Sequence, residues 1–155
     1  MMNNKVSFTN SNNPTISLSA VIYFPPKFDE TRQYPAIVVS HPGGGVKEQT
    51  AGTYAEKLAE KGFVTIAYDA SYQGESGGEP RQLENPYIRT EDVSAVIDYL
   101  TTLSYVDNTR LVRWEFVPVQ DIQPMLQFRI AASRPSVPLV QSILVRCSVM
   151  VGKTM

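Results

Sequence analysis

Apolar and polar positions along this 155-residue chain fall into blocks with two different periods. Residues 16–24, ISLSAVIYF, alternate and then turn apolar before Pro25-Pro26 stops the run, which predicts a strand. Residues 36–40 (AIVVS) and 64–68 (VTIAY) are apolar throughout, as strands buried on both faces of a parallel sheet are. Between them, residues 49–61 (QTAGTYAEKLAEK) put Tyr54, Ala55, Leu58 and Ala59 at helical spacing, and Gly62 stands where a glycine ends a helix. A second helix is predicted over residues 90–103, with Thr90 as its N-cap, Glu91 and Asp92 in the first turn, and Val93, Val96, Ile97 and Leu100 on one face. The order β, β, α, β, α predicts an α/β fold with an open, mostly parallel sheet and flanking helices, which should continue into another parallel strand.

Composition narrows the function classes. The net charge is -1 and Lys and Arg form no basic block, which argues against nucleic acid and against an anionic membrane as partners. No apolar run approaches the roughly 20 residues of a spanning helix, and the N-terminus MMNNKVSFTNSNN does not read as a leader, so a soluble cytoplasmic protein is expected. Cys147 is the single cysteine and His41 the single histidine, so neither an internal disulfide nor a Cys/His zinc site is expected, and no cofactor is implied. Composition also breaks along the chain. Residues 1–110 hold all eight tyrosines and eight of nine glycines, with nine Lys/Arg against thirteen Asp/Glu; residues 111–155 hold only Gly152, no tyrosine, and five Lys/Arg against two Asp/Glu. Two segments follow from this: a partial α/β domain over 1–110 and an unrelated, irregular tail over 111–155.

The candidate chemistry lies in His41-Pro42-Gly43-Gly44-Gly45, at the end of an apolar strand and just before a helix. Glycines let a backbone approach a ligand closely and offer its N–H groups to an anion. A phosphate loop would need Gly-Lys followed by Ser or Thr, whereas Gly45 is followed by Val46-Lys47-Glu48; a dinucleotide fingerprint fails at Glu48. The fitting alternative is an oxyanion loop for acyl transfer, in which a backbone donor stabilises a tetrahedral intermediate by roughly 3 to 4 kcal/mol.

SHPGGG, then AEKLAEKGFVTIAYDASYQGESGG, then RTEDVSAVIDYL, resembles in this order the front half of an α/β hydrolase, and most of all dienelactone hydrolase-like proteins, over about residues 5–110. The resemblance implies hydrolysis of a small ester, lactone or amide, a nucleophile on an elbow after the fifth strand, and an acid and a histidine further on. Gly74-Glu75-Ser76-Gly77-Gly78 matches the elbow pattern, but Pro80 and Pro86 disfavour the helix that an elbow must feed, so Ser76 is read as a loop-shaping residue. His41 precedes the place where the family's nucleophile stands and is read as shaping the oxyanion loop rather than as general base. Asp69 is expected to orient its own loop through side-chain to backbone bonds, and Cys147 to be a small apolar residue.

Where the resemblance implies a strand and elbow, residues 111–120 read LVRWEFVPVQ, with Pro118 and no glycine before Gly152. In the frame that joins the last base of each codon to the first two of the next, Trp114-Glu115 must give glycine. The following pairs then permit Gly-Ile-Cys-Ala-Gly-Ala-Gly-Tyr, a cysteine elbow. The other frame cannot place the closing glycine, because Pro118-Val119 there gives only Leu, Pro, Gln or Arg. The expectation is therefore a front half of a hydrolase, cut after its second helix by a frameshift near Arg110, with no catalytic residue of its own. Strand 36–40 would be left as an unpaired edge prone to self-association unless the tail covers it, and residues 143–151 of the tail are strand-like in composition. The alternative is a small non-enzymatic interaction module that uses this edge.

Overall fold

The computed structural model describes residues 2–115. In chain order the elements are β1 (Asn3–Asn10), β2 (Asn13–Tyr23), β3 (Tyr34–Ser40), α1 (Thr50–Ala59), β4 (Val64–Tyr68), α2 (Pro86–Thr101) and β5 (Val106–Glu115). The strands form one mixed sheet in the order β1-β2-β4-β3-β5. β1 and β2 are an antiparallel hairpin, β2 runs antiparallel to β4, and β4, β3 and β5 are parallel. This is the N-terminal part of an α/β-hydrolase fold.

The alternation of side chains assigns each strand two faces. Leu18, Ala20 and Ile22 of β2, Ala36 and Val38 of β3, and Val64, Ile66 and Tyr68 of β4 pack on one face against Val93, Val96, Ile97 and Leu100 of α2. Ile37 and Val39 of β3 and Ala67 of β4 face the other way, against Ala51 and Ala55 of α1. Leu18, Ile22 and Ile66 are fully buried, so truncating any of them to alanine costs about 2 to 5 kcal/mol. The buried positions of α1 are small, Ala51, Gly52, Ala55 and Ala59, and Gly52 lets the helix meet the loop before it, since a Cβ there would lie 2.6 Å from the Lys47 carbonyl oxygen. Gly62, at φ +99°, ends the helix, its N–H donating to Ala59 O.

Three expectations need correcting. The sequence pattern missed β1, whose NNKVSFTN is exposed at most positions and carries too few apolar residues to signal a strand; it is held by its register with β2, Lys5 opposite Val21 and Phe8 opposite Leu18. α2 begins at Pro86 rather than near Thr90. Asn85 is the N-cap, its side chain accepting the Tyr87 N–H, and Pro86 occupies the first turn, where a missing N–H costs nothing. Thr90 lies inside the helix and donates its hydroxyl to Pro86 O.

The third correction concerns β3, whose second edge is paired. Residues Leu111 to Glu115 of β5 lie in parallel register with Ala36 to Ser40, so the expected bare edge at 36–40 is not found. The reason is that strand pairing asks only for extended backbone and alternation that suits the two faces. LVRWE supplies both: Leu111 joins the α2 face, while Val112 and Trp114 join the α1 face. β5 thus runs across Arg110, where composition changes. Cys147 and the strand-like stretch 143–151 lie outside the described residues.

Candidate functional site

β3 and β4 end side by side, Ser40 opposite Tyr68. The loops that follow, residues 41–49 and 69–85, therefore meet at the carboxyl end of the parallel strands, where open α/β sheets place their ligands. Ser40 Oγ and Tyr68 OH are hydrogen-bonded at 3.0 Å beneath the two loops.

His41 is a strut between them. Its Nε2 accepts the Ala70 N–H at 3.1 Å, and its Nδ1 donates to Pro42 O at 2.8 Å, so both ring nitrogens are used and the proton is on Nδ1. Burial pushes the His41 pKa below its ordinary value, and the nearby Arg89 guanidinium acts in the same direction. A neutral imidazole engaged on both sides shapes the loop; it is not poised to take a proton from a substrate.

The three glycines differ in what their N–H groups do. Gly44, at φ +69°, donates to Glu84 Oε1 at 3.1 Å, and Gly45 donates to Pro42 O at 3.0 Å. The Gly43 N–H, on an exposed residue, has no acceptor among the described residues. Arg89 of α2 grips the same loop, its Nη1 donating to His41 O at 3.2 Å and its Nη2 to Glu84 Oε1 at 2.8 Å. The Arg89 guanidinium holds the Glu84 carboxyl below its ordinary pKa, against an opposing push from partial burial.

Behind the glycines lies Lys47, whose side chain is fully buried. Its Nζ donates to Asp69 Oδ2 at 2.6 Å and to Glu75 Oε2 at 2.7 Å, and pairs with Glu48 Oε1 at 2.7 Å. Desolvation opposes the charge on Lys47, but the hydrogen bonds to Asp69, Glu48 and Glu75 outweigh it and raise the pKa. Chiefly through the Lys47 bond, Glu75 falls to about 2. Glu48, Asp69 and Glu75 bring their oxygens within 4.8 Å of one another, a spacing that could hold a metal ion, but the Lys47 ammonium already bonds to all three.

Asp69 also accepts the N–H groups of Lys47 at 2.8 Å and Glu75 at 2.9 Å, which is the loop-orienting role expected of it. Gly74, at φ +48°, gives that carboxylate room: a Cβ there would lie 2.3 Å from Asp69 Oδ2. Ser76 is buried. It donates its hydroxyl to Asp69 O at 2.7 Å and accepts the Ser19 N–H at 2.9 Å, a loop-shaping arrangement in which, among the described residues, the hydroxyl is hydrogen-bonded to backbone groups and to no side-chain base. Beneath the loop, buried Asp92 accepts from Ser71 N, Ser71 Oγ and Asn10 Nδ2. Burial raises its pKa, with the Ser71 bonds opposing.

Sequence reasoning found His41, the glycines, Asp69 and Ser76, but not Lys47, Glu84, Arg89 or Asp92 as members of the site. A lysine in GGGVKE looks like any surface lysine. Only folding brings Asp69 and Glu75, 22 and 28 positions away, around it.

A family model described as X-Pro dipeptidyl-peptidase (S15 family) matches residues 15–124. The uncharacterized protein YcjY of Escherichia coli (strain K12) is 96% identical over 111 residues, which are 72% of this chain and 36% of that protein. The crystal structure of the hypothetical protein PA2218 from Pseudomonas aeruginosa is similar with a TM-score of 0.67 and 45% identity, covering 72% of this chain and 34% of that one. The α/β hydrolase GrgF from Penicillium sp. sh18 shares the fold, with a TM-score of 0.64 at 21% identity over 75% of this chain and 38% of its own. The chain spans about a third of the length of the curated relatives it matches.

Proposed function

The chain belongs to the X-Pro dipeptidyl-peptidase (S15) family, and from that premise we propose that its 155 residues carry the oxyanion side of a hydrolase for ester, lactone or amide bonds and do not by themselves turn substrate over. The observation that carries this reading is the loop after β3. Lys47, His41, Glu84 and Arg89 hold it, Gly44 and Gly45 spend their N–H groups inside the protein, and the Gly43 N–H is left to meet an anionic oxygen. In a water-excluded site such a donor is worth roughly 3 to 4 kcal/mol of transition-state stabilisation.

A donor alone does not provide a covalent route. The strand that should deliver a nucleophile, β5, reads VDNTRLVRWE and contains neither serine nor cysteine, and the residues after it form no Gly-x-nucleophile-x-Gly. The shifted reading frame through Trp114-Glu115 fixes the first glycine and permits Gly-Ile-Cys-Ala-Gly, so a one-base frameshift near the codon of Arg110 would account for the missing elbow. An intact relative with that elbow would attack the acyl carbon with a thiolate, as the resemblance to dienelactone hydrolase-like enzymes implies, and pass the developing negative charge to the loop.

Two measurements test the reading. The purified chain should hydrolyse a chromogenic acetate ester no faster than buffer; turnover that disappears in Ser76→Ala would overturn it. The nucleotide sequence around the Arg110 codon should show the shift, and a single intact frame with no elbow in any frame of the locus would remove that explanation.

A further inference from the structure

We infer that the cavity at the amino end of the parallel strands, walled by Phe24 and Phe28 and carrying Lys27, is a binding site for a small carboxylate with an apolar body. It lies at the opposite end of the sheet from the glycine loop and does not depend on the hydrolase reading. β2 leaves the sheet at Tyr23, opposite Thr65 near the start of β4, and β3 begins at Tyr34, opposite Val106 at the start of β5.

The cavity holds about 320 Å³ and is lined by Met2, Phe24, Pro25, Pro26, Lys27 and Phe28, so every lining residue but Lys27 is apolar. That volume stands at the small end of ligand sites, which run from roughly 300 to 1,000 Å³. The walls are fixed before any ligand arrives. The Phe24 and Phe28 ring centroids are 4.4 Å apart, and Phe28 packs in turn on Tyr34 at 5.3 Å and edge-on against Tyr105 at 5.1 Å. Tyr34 OH accepts the Asp29 N–H at 3.1 Å, and the Phe24 N–H donates to Met2 O at 3.2 Å. A site ordered in advance loses little freedom when it is filled.

Lys27 is the second observation. Pro26 and Lys27 form the turn after β2, and Lys27 takes φ +57°, a left-handed conformation that turns give to glycine or asparagine. A lysine there carries a backbone cost that glycine would avoid, and strain of this kind gathers where ligands are held. Among the described residues its ammonium has neither a hydrogen bond nor an ion pair. The acids that follow it in the chain do not neutralise it: Asp29 gives its carboxylate to the Thr31 N–H and hydroxyl, and Glu30 acts on Tyr105, which is not a lining residue. An uncommitted cation beside an apolar slot is complementary to a ligand that is apolar at one end and anionic at the other.

The test titrates the full 155-residue chain with 3-phenylpropanoate and follows the Met2 methyl and Phe28 ring signals by NMR. Saturable shifts are expected there and none at His41 or Trp114. Lys27→Met should weaken binding about tenfold, the loss of one charge-assisted hydrogen bond, and the neutral 3-phenylpropanamide should bind the unaltered chain more weakly by a similar factor. Lys27→Gly separates this role from a structural one: it should lose the same binding while its unfolding temperature is no lower, because glycine relieves the left-handed turn. No saturable binding, the result if residues 116–155 or a second copy of the chain fill the cavity, would overturn the site. So would equal affinity for acid and amide, unchanged binding in Lys27→Met, or a Lys27→Gly chain that melts at lower temperature.

Discussion

Lys47 and Asp69 form an ion pair of 2.6 Å with both side chains fully withdrawn from solvent, and through it the loop after β3 is fastened to the loop after β4. Asp69 accepts the Lys47 backbone N–H as well, so a single carboxylate fixes both the position and the charge of that residue. Glu75 and Glu48 complete the shell around the ammonium from the solvent side.

Such a pair is weak evidence of stability in itself but costly to break, because removing one partner strands the other charge in the interior. Lys47→Met should lower the unfolding free energy by about 3 to 5 kcal/mol. The double variant Lys47→Met/Asp69→Asn should recover a good part of that loss. Urea denaturation of the two variants checks this; equal destabilisation by both would mean that the stranded charge is not the source.

Gly74 and Gly44 separate steric from conformational demand. Both have positive φ, +48° and +69°, but a Cβ at Gly74 would overlap the Asp69 carboxylate, while one at Gly44 would meet nothing within 4 Å. Gly44→Ala should cost roughly 1 to 2 kcal/mol from the backbone alone. Gly74→Ala should cost more, because it must also displace the acceptor of Lys47. Thermal unfolding of the pair should therefore rank Gly74→Ala clearly below Gly44→Ala.

Ser76→Ala removes one hydroxyl that serves two buried backbone groups, the Ser19 N–H and Asp69 O. A loss of about 1 to 3 kcal/mol is expected from leaving them unsatisfied. Background ester hydrolysis should not change, which distinguishes a loop-shaping serine from a nucleophile.

How much of this was legible in the sequence follows from where each interaction is made. The parallel strands and α1 were readable because their burial is written in consecutive residues: AIVVS, VTIAY and the Tyr54 to Ala59 face carry their own period. β1 was not, since its place depends on pairing with β2 rather than on a pattern of its own. The start of α2 was hidden because proline, a breaker inside a helix, is tolerated in its first turn. β5 was discounted for lacking an elbow, although strand formation and catalysis ask different things of the same residues. In the site, the glycines announced themselves by composition. Lys47, Glu84 and Arg89 did not, because a charged residue becomes part of a site only through partners that folding supplies from 22 to 48 positions away.

The acid response of the fold should carry the signature of His41. Its pKa is lowered from the ordinary 6.5, first by burial and then by Arg89, so the folded protein binds fewer protons than the unfolded chain once pH falls below that value. A depressed folded pKa means that the contribution is fully present above the unfolded value and is lost as pH falls through the window between 6.5 and the folded value. The physical event is specific: protonated Nε2 would face the Ala70 N–H, donor against donor, where an acceptor stood before. Groups around the ring bear on the same window. Arg89 works against protonation, while Asp69 and Glu84 favour it. Asp92 has the opposite sign, since burial raises its pKa and its contribution is lost as pH rises above 3.8. Glu75 and Asp107, each lowered to about 2, lose theirs only at much lower pH. Between pH 7 and 5.5, stability should therefore fall, by at most about 1.4 kcal/mol per pH unit for one group. His41→Gln, whose amide can still accept from Ala70, should flatten that slope. As His41 is the single histidine, an unchanged slope in the variant would show that the strut between the two loops is not what acid breaks.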